Sequence, residues 1–225
     1  MSAAESPALE LRGVTKSFGS KPVLRGVDLA IGAGQTTVIL GGSGSGKSVC
    51  MKHMIGLLRA DAGEIRVFGR DVTRLSESDW VAVRRDFGMV FQSAALFDSL
   101  SVYENIAYPI REHERWQEAR ITERVAWCLE AVGLAGVEKL LPAELSGGMR
   151  KRVGVARAIA MGPRVILYDE PTTGLDPANS RRIGELIQSL QRELGATSVV
   201  VTHDLELAFA IADRVALLKQ GRIAV

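Results

Sequence analysis

Three nearly unbroken apolar runs stand out along the chain: TTVIL before Gly41, VILY before Asp169, and SVVV before Thr202. Continuous runs of this length, rich in β-branched residues, suit parallel strands buried on both faces. Each ends in a polar motif, the place where open α/β sheets put their ligands. Earlier segments (LELRGV, VLRGVDLAI and GEIRVFG) are bounded by glycine and proline and read as short strands. Between Ser101 and Leu141 the period changes. Ile121, Val125, Cys128, Leu129 and Val132 share one stripe at spacings of three and four, which predicts an amphipathic helix and a helical insert within an α/β core. Neither an internal repeat nor a low-complexity segment appears, which excludes two fused copies of the domain in this chain.

One loop breaks the pattern. In FQSAALFDS, Phe91 to Ser99, a glutamine after an apolar run is followed at once by Ala94, Ala95, Leu96 and Phe97. Exposed apolar side chains gain nothing in an ordinary surface loop, so this segment asks for a partner or a core to cover it.

Composition narrows the class only a little. The 225 residues, 47% hydrophobic and 24% charged, are those of a globular protein with a substantial core. A formal net charge of +2 gives no broad basic surface, so no nucleic-acid partner is expected. Two cysteines, Cys50 and Cys128, are too few for a disulfide framework and read as reduced, buried thiols. The first thirteen residues lack a basic start and an apolar stretch, so no signal peptide is expected. No run reaches the ~18 apolar residues of a spanning helix, so any action at a membrane goes through another protein.

The sharpest chemistry is GGSGSGKS, Gly41–Ser48, which fits G-x-x-x-x-G-K-[ST] between the strand TTVIL and the helical pattern SVCMKHMIGLL. In such a loop, Gly41, Gly42, Ser43, Gly44, Ser45 and Gly46 let backbone N–H groups converge on phosphate oxygens, and the helix N-terminus entered at Ser48 and Val49 adds its positive end. Lys47 is expected at the β- and γ-phosphates and Ser48 on Mg²⁺. VILYDE places two carboxylates at the mouth of a buried strand. Because neighbouring side chains of a strand point to opposite sides, Asp169 and Glu170 can do different jobs. Asp169 suits the acid that supports Mg²⁺, and Glu170 is left to orient and deprotonate the attacking water. His203 follows SVVVT. A lone histidine is more often structural, but one at the carboxyl end of a strand beside the phosphate loop is placed to hydrogen-bond the γ-phosphate and the water. ELSGGMRKR opens a further helical run with a second anion-binding nest. One ATP does not need two such helix starts from one chain; a dimer would use both.

Taken together, GGSGSGKS, Gln92, LSGGM, VILYDE, GLDP (Gly174–Pro177) and His203 resemble, in identity and order, an ATP-binding cassette (ABC) ATPase, over essentially the whole chain from Leu9 onward. The resemblance implies an α/β ABC-type nucleotide-binding domain. Its parts would be a P-loop core (7–92 and 158–225), an N-terminal antiparallel β subdomain and an inserted helical subdomain (about 93–157). It also implies ATP and Mg²⁺ as ligands and ATP hydrolysis as the reaction. Under it, Phe18 matches the aromatic that stacks on adenine, a contact worth roughly 1–3 kcal/mol by analogy with base stacking. Gln92 matches the residue that touches Mg²⁺ and water and senses the γ-phosphate. Ser146, Gly147 and Gly148 match the segment that binds the ATP of the other subunit, and Asp176 the acid of the loop that crosses the dimer interface. Met149 stands where many members of the family have glutamine, outside the Ser-Gly-Gly chemistry.

Among three classes, a P-loop kinase has no use for LSGGM, GLDP and His203 together. Soluble ABC ATPases of translation or repair usually carry fused copies or long coiled coils, which this chain lacks. A transporter subunit is the favoured reading, with a soluble, non-transport ABC ATPase as the weaker alternative. FQSAALFDSLSVYENIAYPIREH and LEAVGLAGVEKLLPAELSGGMRKR resemble the ATPase of Mce-associated, Mla-type phospholipid transporters. That branch implies a homodimer under an integral membrane permease at the cytoplasmic face of the inner membrane. It further implies a periplasmic Mce lipid-binding protein reached through the permease, and a STAS-domain regulator. Other apolar cargoes, and an ABC transporter for a different substrate, stay open. Members of the branch usually continue through a helical tail beyond the point reached at Val225, so no tail-mediated contact is expected of this chain. On this reading Ala94, Ala95, Leu96, Phe97, Tyr103 and Tyr108 line the groove for a permease helix; the alternative is that they pack between core and helical insert, and both can hold for different residues.

Overall fold

The computed structural model describes residues 7–224. In chain order the elements begin with β1 (Leu9–Phe18), β2 (Lys21–Ile31), β3 (Thr36–Leu40), α1 (Lys47–Met54), β4 (Ala62–Val67), β5 (Arg70–Asp71), α2 (Glu77–Arg84) and β6 (Phe87–Val90). There follow α3 (Val102–His113), α4 (Glu118–Ala131), α5 (Gly147–Ile159), β7 (Val165–Asp169), α6 (Pro177–Leu194), β8 (Thr197–Thr202), α7 (Leu205–Ile211), β9 (Arg214–Lys219) and β10 (Arg222–Ile223).

The apolar runs become the centre of a six-stranded sheet of order β10-β9-β3-β8-β7-β6, parallel except for the β10–β9 pair. Their unbroken hydrophobicity has a direct cause: successive side chains feed two different cores. Val38, Val200, Ile166 and Tyr168 face one cluster, with helices α3 to α6. Ile39, Val199, Val201, Val165 and Leu167 face the other, with α1, α2 and the strands of the N-terminal sheet. That second sheet is antiparallel, order β2-β1-β4-β5. The architecture is α/β with a separate antiparallel β layer, as the sequence leads one to expect.

Three helices, α3 to α5, lie between β6 and β7, and the stripe of Ile121, Val125, Cys128 and Leu129 is buried on α4. Val132 falls just past that helix, as its C-cap. A second difference concerns α1. The pattern SVCMKHMIGLL suggests a helix through Leu58, but α1 stops at Met54 because Ile55 leaves helical geometry at φ −111°. Cys50 and Cys128 are free and buried, and burial pushes their thiols up to about 12 and about 11, so both are inert hydrophobes at neutral pH. No helix among the described residues is long and apolar enough to cross a membrane.

Candidate active site

Strand order assembles the site. β3, β8, β7 and β6 run parallel and adjacent, with Leu40 beside Thr202, Asp169 beside Val201, and Val90 beside Tyr168. Their carboxyl ends therefore present, along one rim, the Gly41–Ser48 loop, His203, the Asp169–Glu170 pair and the segment holding Gln92. This is the edge at which α/β sheets bind ligands.

The loop from Gly41 to Gly46 enters α1 through Gly46 at φ 105°, a conformation that a side chain would strain and that packs closely on Val23 and Leu24. Lys47 is buried, and its Nζ donates to the carbonyls of Gly41 at 2.8 Å and Gly42 at 3.2 Å. The same ammonium lies 3.1 Å from Glu170 Oε1. Ser48 Oγ donates to Asp169 Oδ1 at 2.9 Å. Partial burial raises the Asp169 carboxyl above its usual range, the bond from Ser48 opposes this, and the neighbouring Glu170 charge adds to the rise. A hydroxyl and a desolvated carboxylate in contact form a hard-oxygen donor pair, the chemistry that fits Mg²⁺. Val49 follows on α1, half-buried.

Glu170 is held at both oxygens. Oε1 faces Lys47, and Oε2 lies 2.8 Å from His203 Nδ1 and 3.3 Å from the His203 backbone N–H. Its backbone is left-handed, φ 48°, a strained setting that tends to occur at functional positions. The glutamate side chain is 12% exposed against 62% for the histidine, so a mostly buried carboxylate is met by an accessible imidazole.

Other expected residues lie apart from this cluster. Phe18, at the end of β1, is 49% exposed with Lys16 Nζ 5.8 Å from its ring centre, so it is a free aromatic face and not a core residue. Ser146 caps α5 by accepting from the Met149 N–H at 3.2 Å, with Ser146 and Gly147 exposed and Gly148 half-buried. α5 packs on α3, α4 and β6, whereas α1 packs on β2, β4 and β8. Asp176 is the exposed N-cap of α6, accepting from the Ala178 N–H at 2.9 Å and the Asn179 N–H at 3.0 Å. Bonds from the Asn179 main chain and side chain hold its carboxyl below the usual range.

Gln92 sits two residues beyond β6, in the turn and not at the strand's end, and its backbone carbonyl accepts from the Lys151 ammonium. The loop that follows divides in two. Ala94 is buried, and Leu96 and Tyr103 pack on the core, with the Tyr103 hydroxyl donating to Glu118 at 2.8 Å. Ala95, Phe97 and Tyr108 instead line a cleft of about 540 Å³ shared with Met89, His113 and Arg157. Phe97 and Tyr108 are exposed, with ring centres 5.0 Å apart. Both readings of this segment therefore hold, for different residues: Ala94, Leu96 and Tyr103 are turned to the core, and Ala95, Phe97 and Tyr108 to the cleft. Ala94 and Ala95 are both left-handed, φ 64° and 49°, at roughly 1–2 kcal/mol each for a residue with a Cβ. Arg157 offsets this by donating to both carbonyls, at 2.9 and 2.7 Å. Buried Asn105 fastens the far end, accepting from the Phe97 N–H at 2.8 Å. Lys151, Arg157 and Asn105 are not singled out by the sequence pattern. The helix carries four cations, Arg150, Lys151, Arg152 and Arg157, and nothing in the sequence pattern separates the two that reach this loop.

The family profile described as "ABC transporter" matches residues 24–173. The chain belongs to the ABC transporter family. It is an ABC ATPase domain with the ABC fold. It is similar to the probable ribonucleotide transport ATP-binding protein mkl of Mycobacterium leprae, 44% identical over 211 residues, which are 94% of this chain and 61% of that protein. It therefore spans about three fifths of that relative's length. The methionine import ATP-binding protein MetN of Symbiobacterium thermophilum is 44% identical over 96% of this chain and 66% of its own. The intermembrane phospholipid transport system ATP-binding protein MlaF of Haemophilus influenzae is 41% identical over 96% of this ABC chain and 81% of its own. Among solved structures, the dimeric, post-hydrolysis form of the ATP-binding cassette MJ0796 bound to ADP and Pi superposes with a TM-score of 0.88 at 33% identity. The match covers 96% of this chain and 97% of that one.

Proposed function

We propose that the chain is the ATP-hydrolysing subunit of an ABC transporter, working as a homodimer on a membrane permease at the cytoplasmic face of the inner membrane. The observation that carries this is the rim of the parallel sheet, where Lys47, the Ser48–Asp169 pair and the Glu170–His203 pair converge from three adjacent strand ends. Lys47 and the Gly41–Gly46 loop bind the β- and γ-phosphates, with the adenine on Phe18. Ser48, Asp169 and the Gln92 side chain would hold a Mg²⁺, which would supply charge neutralisation at the phosphate oxygens. Glu170 takes the proton of the attacking water, and His203, bonded to Glu170, holds the carboxylate's direction and the water. Ser146, Gly147 and Gly148 of one subunit close on the ATP held by the other, and Asp176 lies in the loop at that junction. This head-to-tail arrangement gives the second helix start a use.

The cargo reading is phospholipid or another hydrophobic compound. Its support is the FQSAALFDSLSVYENIAYPIREH segment and the similarity to MlaF, which spans most of that relative. A Mce lipid-binding protein beyond the permease and a STAS-domain regulator belong to the same reading. A second reading, a transporter for a small polar solute, is favoured by the 44% identity to mkl and MetN. Purifying the chain with its neighbours from native membrane, then identifying bound molecules by mass spectrometry, separates the two. Lipid and a lipid-binding protein are expected, and recovery of a solute-binding protein instead overturns the lipid reading.

The cleft supplies a mutational check. Phe97→Glu places a charge on the exposed ring position while leaving Ala94 and Leu96 in the core. It is expected to leave ATP hydrolysis of the purified chain within about twofold and to weaken co-purification with the permease by more than about tenfold. Leu96→Asp is the poorer probe, because Leu96 packs inward.

A further inference from the structure

α5 carries two cations, Lys151 and Arg157, that end on main-chain carbonyls of the loop after β6 and not on acidic side chains. Lys151 is 8% exposed, and its ammonium donates to the carbonyl of Gln92. Two helical turns on, Arg157 donates to the carbonyls of Ala94 and Ala95. Between them Gly154 lets the loop come close: a Cβ there would lie 3.2 Å from the Ala94 Cβ. The three residues are spaced by three, so one side of α5 holds three of the four loop residues from Gln92 to Ala95. For stability alone, a buried lysine is a poor choice beside an apolar side chain of similar length. Burial lowers its proton affinity, opposed by the charges of Asp169 and Glu170 across the site.

Resting on the nucleotide-site reading above, we infer that Lys151 is a positioning residue for hydrolysis: it fixes the Gln92 main chain to α5, so that the Gln92 side chain and the Ser146–Gly148 helix start move as one body. Ser146 lies at the N-terminus of the same helix, only five residues before Lys151. The side chain facing the ATP of its own subunit is thereby tied to the turn facing the other ATP. Arg157 extends the tie to Ala95 and, with its guanidinium 5.9 Å from the Phe97 ring, to the mouth of the cleft.

The test is a double-mutant cycle on the full chain, read as steady-state ATP hydrolysis with Mg²⁺. Lys151→Met keeps length and apolarity and removes the donor. It is expected to lower kcat by about tenfold to a hundredfold, with KM for ATP within about threefold. Lys151→Arg, which restores a cationic donor, is expected to recover most of the rate. In a Gln92→Ala background, Lys151→Met is expected to change kcat by less than about twofold, since the residue acts through Gln92. Multiplying losses, or a Lys151→Met protein with wild-type kcat, overturn the inference. If Lys151→Met does not fold, hydrogen exchange of the wild-type chain decides. Peptides covering residues 91–97 and 147–153 are expected to gain protection in parallel when ATP and Mg²⁺ are added, and protection of one alone overturns the tie. A wild-type chain that neither binds nor hydrolyses ATP overturns the site reading instead, a result distinguishable from all of these.

Discussion

Replacing Glu170 with glutamine is expected to cut ATP turnover by about two to four orders of magnitude while leaving ATP binding intact. The geometry makes this a clean substitution. Glu170 Oε1 lies 3.1 Å from Lys47 and Oε2 lies 2.8 Å from His203 Nδ1. A glutamine of the same shape keeps an oxygen toward the lysine and can donate its amide to His203 Nδ1, giving up only the longer 3.3 Å bond from the His203 main-chain N–H, so the side chain stays in place. What it loses is the capacity to take a proton. The Gly41–Gly46 loop and Lys47, proposed to hold the phosphates, are untouched, so binding is expected to survive. Equilibrium ATP binding and single-turnover hydrolysis, measured on the same preparation, check both halves. Near-normal turnover removes Glu170 from the role of base and leaves His203, the exposed group bonded to it, as the one to examine.

Ser146→Arg is expected to reduce hydrolysis by more than about a hundredfold, without weakening ATP binding by the isolated subunit appreciably. Ser146 makes its one described side-chain bond within its own helix, as cap to the Met149 N–H, and losing such a cap costs about 0.5–2 kcal/mol. α5 has other anchors: Arg150 donates to the Leu145 carbonyl at 2.6 Å and Arg152 to the Gly133 carbonyl at 3.0 Å. The helix therefore remains, while a guanidinium fills the exposed turn that would face the other subunit's nucleotide. Light scattering with and without ATP, alongside turnover, reads the outcome. A variant that still dimerises on ATP and hydrolyses at the wild-type rate sinks the composite site.

The main sheet was legible because both of its faces are buried. That leaves no polar alternation in β3, β7 and β8, and an unbroken apolar run needs no partner to be recognised. β9 is harder to see, because RVALLK alternates exposed and buried positions and carries charge at both ends. The convergence of the Gly41–Ser48 loop, the carboxylate pair and His203 on one rim could be anticipated because each follows an apolar run that reads as a strand of the same parallel sheet. The positions of Ala94 and Ala95 were not. Alanine has no preference for a left-handed backbone, and the groups that hold it there, on Arg157, lie some sixty residues further along the chain. For the same reason the greasy loop could be noticed but not divided: whether Leu96 or Phe97 faces the core depends on that distant arginine and on Asn105.

The position of β3 also sets an order in which the molecule can be made. β3 is flanked by β8 on one side and β9 on the other. Both neighbours are synthesised more than 150 residues after it, since they begin at Thr197 and Arg214. During translation the phosphate loop is complete early, yet the strand that must hold it has neither hydrogen-bonding neighbour, and closing such distant pairs is slow. Until then an apolar ribbon, TTVIL, is exposed with two open edges, the kind of segment that chaperones shield and that aggregates when they do not. ATP can stabilise the folded protein, but over the first two thirds of the chain the loop proposed to hold its phosphates follows a strand with no partner on either side.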